Sequence, residues 1–180
     1  MPKFIPLVAA TVALVVVGAA LGGSAKSTYT YKAPMTPAGE IPKPKAQAGA
    51  KGLFTATVTE SASTRTLKWK LTYSGLSGKA VAAHVHKGKA GVAGGVLIPL
   101  CGPCVSGQTG QLTISTDASD LLERGRTYVN VHTAKNAGGE IRGQIKLVAH
   151  VGTSPTPSPV TDPATTTPDT GTGDAGKGSY

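Results

Sequence analysis

The chain has 180 residues, 24 glycines, 13 prolines, a net charge of +9 and only 4% aromatic residues. Both ends read as something other than folded domain, so one domain of roughly 100–125 residues is expected. Its lysines are scattered over many segments with no dense run and no interleaved aromatics, which speaks against nucleic acid; a solvated positive surface is the favoured reading, with an anionic envelope polymer or a protein as the extracellular partner such charge would suit.

Residues 1–25 begin with Lys3, run apolar from Phe4 to Leu21 and end in Gly22-Gly-Ser-Ala25, the pattern of a secretory signal peptide with a cut after Ala25. The competing reading is an uncleaved anchor, the one way this chain would hold to a membrane. Residues 26–49 carry Pro34, Pro37, Pro42 and Pro44 and read as an extended segment, with 26–34 a lead-in to a domain spanning 35–151.

Strand alternation starts at 52–59, with Phe54, Ala56 and Val58 on the buried side. Residues 61–65 turn the chain into 66–73, where Leu67, Trp69, Leu71 and Tyr73 face inward and Lys68, Lys70 and Thr72 face out. In the next strand Val81, Ala83 and Val85 form the apolar side, which sets His84 and His86 together on the other. Pro99 marks 96–100 as an edge strand or strand end. A loop over 101–110 leads to a strand at 111–115. Residues 117–125 then predict a short helix, with Asp117 as N-cap, Leu121 and Leu122 inward and Gly125 as the stop.

Residues 128–145 read as strand, glycine-rich turn and strand, the second running to about Val151. Val129 and Val131 share one face; Tyr128, Asn130 and His132 share the other. From Gly152 the chain is rich in Pro, Thr, Gly and Asp and reads as a disordered spacer or a site for O-glycans. Thr167-Pro-Asp-Thr-Gly171 echoes a sortase signal but lacks the leading Leu and the apolar and basic segments that follow one. About seven short strands with one helical turn predict an all-β antiparallel Greek-key sandwich or barrel, immunoglobulin-like or superoxide-dismutase-like.

Three side-chain sets carry the chemistry. His84, His86 and His132 can converge on one metal through imidazole nitrogens, with copper or zinc as the fitting ions; the favoured reading is that His84 and His132 fix the turn by hydrogen bonds to nearby backbone or to Glu140. Cys101-Gly-Pro-Cys104 matches a redox string, yet no Trp precedes it and no helix follows it, so a local disulfide is expected in an exported protein with two cysteines. Asn130, Glu140 and Arg142 form a polar cluster at the turn, read either as a contact for a carboxylate ligand or as a bracing ion pair between Glu140 and Arg142. Hydrolase and nucleotide motifs are lacking, and no motif requires a cofactor.

Gly39-Glu-Ile-Pro42, Ala83-His-Val-His-Lys-Gly88, Gly94-Gly-Val-Leu-Ile-Pro-Leu100, Tyr128-Val-Asn-Val-His-Thr133 and Gly139-Glu-Ile-Arg-Gly-Gln144 resemble the CHRD (chordin-type) domain over roughly residues 35–148. That resemblance implies an exported all-β domain and brings no catalytic residues. The two histidine blocks also look like the copper-site strands of copper-zinc superoxide dismutase. The chain departs from that pattern in having no bridging histidine in an inserted loop and no zinc cluster, and His150 lies beyond the last motif. The resulting expectation is a secreted or cell-envelope binding or structural module without catalytic residues. The alternative is a copper or zinc protein with a three-histidine site.

Overall fold

The computed structural model describes residues 26–45 and 49–152; the leader and the tail lie outside the described residues. Nine strands and one α-helix follow in order: β1 (Ser27–Met35), β2 (Lys51–Glu60), β3 (Arg65–Ser74), β4 (Ala80–Lys87), β5 (Val96–Cys101), β6 (Gln108–Thr113), α1 (Thr116–Glu123), β7 (Thr127–Thr133), β8 (Asn136–Gln144) and β9 (Lys146–Gly152). They build an all-β sandwich of a five-stranded sheet, order β6-β3-β2-β1-β9, and a four-stranded sheet, order β5-β4-β7-β8. Every pairing is antiparallel.

The core lies between the sheets. Alternation in β2 and β3 delivers Phe54, Ala56, Val58, Leu67, Trp69 and Leu71 to it, as the pleat requires, and Ala83, Val85, Val129, Val131 and Ile141 close it from the other side. Gly110 sits where any Cβ would strike the Trp69 ring, so the lone tryptophan spreads across β6. At the edge position that Pro99 predicts, β5 pairs with β4 alone. The Cys101–Cys104 disulfide closes the loop after it.

Several expectations shift. The segment read as a lead-in is β1, a central strand between β2 and β9, with Tyr31, Ala33 and Met35 buried; Pro34 and the prolines that follow the strand hid the alternation. Val81 points outward and Ala80 takes the inward place, because a register irregularity between Ala80 and Ala82 resets the alternation. The strand expected at 111–115 is β6, ending at Thr113. Ser115, not Asp117, caps α1: its side chain accepts from the Ala118 N–H, and Asp117 falls in the first turn. Leu122 packs inward while Leu121 is half-buried, and Gly125, at φ 62°, stops the helix. The long last strand is two: after Ile145 the chain leaves the four-stranded sheet, and β9 pairs with β1 in the other.

A polar face under two loops

Antiparallel register sets the outward side chains of β4, β7 and β8 in rows. His86 lies beside Tyr128 and Gln144, His84 beside Asn130 and Arg142, and Ala82 beside His132. Two segments roof this face. Residues 36–45 cross from β1 over β8, held by paired backbone bonds between Thr36 and Arg142 and by the Lys45 N–H on Asn136 Oδ1. The 88–95 loop is held from beneath by Arg142, which donates to the Val92 carbonyl at 2.8 Å, and by the Gln144 carboxamide, which donates to the Gly88 carbonyl at 3.0 Å. Under this cover His86, Asn130, His132, Glu140 and Arg142 are all buried. Buried polar groups need partners, so their bonds define the site.

The histidines meet. Each of His84, His86 and His132 offers one ring nitrogen, and the three lie within 4.8 Å of one another. His132 Nδ1 faces the Ala137 carbonyl at 2.9 Å and His86 Nδ1 faces the Gly94 carbonyl at 3.0 Å. A carbonyl only accepts, so both rings carry a proton on Nδ1, and it is Nε2 that holds the lone pair in the neutral form of each. The lone pair of His132 Nε2 meets His84 Nδ1 at 3.1 Å, and His86 Nε2 is buried without a partner. Burial, and then the charge of the neighbouring histidines, push His84 below the usual imidazole range. Burial also lowers His132, against the raising influence of its bond to Ala137. Desolvation therefore keeps both rings neutral, the form that binds a metal.

Tyr128 supports this cluster from one side. Its ring stacks on His86 with centroids 4.9 Å apart and planes within 6°, and the Arg142 guanidinium lies over the Tyr128 ring at 3.3 Å from its centroid. The Tyr128 hydroxyl exchanges bonds with Gly94, so the carbonyl that fixes the His86 tautomer is itself anchored.

The expected ion pair between Glu140 and Arg142 is not formed. A register irregularity between Val131 and Thr133 separates their directions. Glu140, fully buried, accepts from the Ser77 N–H, the Ser77 and Thr133 hydroxyls and the Asn136 carboxamide at 2.6–3.0 Å. Burial raises its pKa, but these four bonds outweigh it and hold the carboxyl below the ordinary range. Nor does Glu140 reach His132, whose Nδ1 goes to Ala137.

The acidic group that Arg142 feels is Glu40, which was not among the candidate site residues. Burial pushes its carboxyl up to about 7, against the lowering influence of Arg142, Asn130 and the Ile41 N–H. The signal for it was the Gly39-Glu-Ile-Pro42 string. His150 stands apart from the cluster, stacked on Tyr29 in the five-stranded sheet at 4.3 Å.

An antiparallel two-sheet sandwich with a roofed polar face is therefore an all-β domain built around buried polar groups. A family model for the CHRD domain matches residues 31–145, well over half of the chain. The chain belongs to the CHRD-domain family. Comparison with curated proteins and with solved structures gave no match. Among the described residues, no helix is long and apolar enough to cross a membrane.

Proposed function

We propose that this chain is a secreted or cell-envelope CHRD module that holds one copper or zinc ion through His84 Nδ1, His86 Nε2 and His132 Nε2. The observation that carries the reading is the pair of carbonyl-fixed tautomers. His86 and His132 each spend Nδ1–H on a backbone oxygen, His132 Nε2 meets the His84 ring, and the Nε2 of His86 is buried with no partner among the described residues. An orphaned buried ring nitrogen costs stability unless something binds it. Ring nitrogens bind these ions at about 2.0–2.1 Å, so the widest separation, 4.8 Å, has to close on loading, and the proton that His84 Nδ1 donates to His132 Nε2 has to move to His84 Nε2. Three imidazole nitrogens suit copper or zinc and offer nothing to a hard cation such as calcium. Outward from the ligands, the Gly94 and Ala137 carbonyls orient the rings and Tyr128 keeps His86 in place.

Calorimetric titration of the purified protein with copper and with zinc tests this. Stoichiometric binding is expected, lost by more than about 100-fold in His132→Ala and unchanged in His150→Ala. Binding no tighter than millimolar for both ions, or equal weakening by the two substitutions, would overturn the assignment.

A further inference from the structure

The outer face of the five-stranded sheet has no roof among the described residues, and its register arrays the outward side chains. One row runs Lys32, Thr55, Lys70 and Thr109, and the next sets Thr57 beside Lys68. The row beyond Thr57 and Lys68 is threonine across β1, β2, β3 and β6: Thr28, Thr59, Thr66 and Thr113. Thr55, Thr57, Lys68, Trp69, Lys70 and Thr109 line an open groove of about 700 Å³, with Lys32 at its margin beside Thr55.

Charge is segregated from this face. All six acidic residues among those described lie elsewhere: Glu40 and Glu140 are buried at the roofed face, Glu60 bonds Arg65 and Ser119, and three sit on α1. Lys32, Lys68 and Lys70 are exposed and make no ion pair among the described residues. Lys68 and Lys70 are two residues apart on one strand, about 6.8 Å, and Lys32 and Lys70 are two strands apart, about 10 Å. Threonine is stiff at χ1, so the hydroxyls between these ammonium groups stand in preset positions.

We propose that this groove binds a linear acidic polysaccharide, its carboxylates on the three lysines and its sugar hydroxyls on the threonines. Trp69, the aromatic residue in the groove's lining, is buried in the core and offers little ring face on which a nucleobase could stack, and the open shape suits a chain passing across it rather than an enclosed small molecule. The inference stands independently of the metal site.

Titration of the full chain, free of metal and at low salt, with polygalacturonate tests it, alongside neutral dextran and single-stranded DNA. Binding to polygalacturonate but not to dextran is expected, weakened about tenfold when Lys32, Lys68 and Lys70 are all changed to Thr. The matched control changes Lys79, Lys87 and Lys89 to Thr, removing equal charge elsewhere, and should bind as the native chain does. Thr57→Val combined with Thr109→Val should weaken polygalacturonate binding and leave any residual DNA binding unaltered. Equal losses in the two lysine variants would reduce the effect to net charge and overturn the site. DNA binding as tight as that of polygalacturonate, and lost in the same lysine variant, would overturn the polysaccharide as its occupant. Circular dichroism of each variant shows that a loss is not unfolding.

Discussion

The outer face of the four-stranded sheet lies under two segments of chain and buries Asn130, Glu140, Arg142 and two histidines, whereas that of the five-stranded sheet carries lysines and threonines open to water. Strand alternation generates both faces in the same way; cover makes the difference. Beneath the 36–45 and 88–95 segments every polar group must find a protein partner, so the residues there are tied to their positions. On the open side water satisfies each group, and a substitution disturbs little.

The largest break in this contrast should come from Glu140→Ala. It strips one buried acceptor from Ser77, Thr133 and Asn136 together, and urea unfolding should register a loss of about 3–5 kcal/mol. Glu40→Gln should act in the opposite sense. The folded pKa of Glu40 is raised to about 7, so the folded state holds this proton more tightly than the unfolded chain. Native stability from this group is accordingly lost as pH rises from about 4.5 to 7. At pH 8 the glutamine variant should be more stable by about 2–3 kcal/mol, with the gain vanishing by pH 4.

His84 and His132 have lowered pKa values, so their contribution runs the other way and is lost as pH falls below 6.5. Removing Glu40 should therefore expose a stability that climbs with pH around 6. A denaturation series across pH that stays flat in the variant would contradict this.

Gly139→Ala comes next. Gly139 has φ 128° and its Cβ would strike Glu40 and Asn130, so a loss of about 1–3 kcal/mol in thermal unfolding is expected. Thr57→Val on the open face sets the floor, within about 0.5 kcal/mol of the native chain. A cost there comparable to that at Gly139 would erase the distinction between the faces.

Much of the open face and the core was legible in the sequence, because 52–59 and 66–73 alternate cleanly and their registers follow. The histidine pair on β4 and His132 on β7 were legible for the same reason. What was not legible depends on breaks in alternation or on contacts distant in sequence. The irregularity after Ala80 turned Val81 outward, and the one after Val131 parted Glu140 from Arg142. Glu140 meets Ser77 across 63 positions, and no local pattern announces that. Pro34 and the prolines after it masked β1, and Glu40 stood in a motif whose string gives no sign of its burial.

That first strand and the segment after it form one continuous piece, residues 27–45, which supplies both the middle of one sheet and part of the roof over the other. A chain shortened past Met35 would leave β2 and β9 without their shared neighbour. Conversely, a synthetic peptide of residues 27–45 is the natural partner for such a shortened chain. Reassembly of the two fragments would restore the sheet and the covered face in a single step, making the domain a ready-made split reporter.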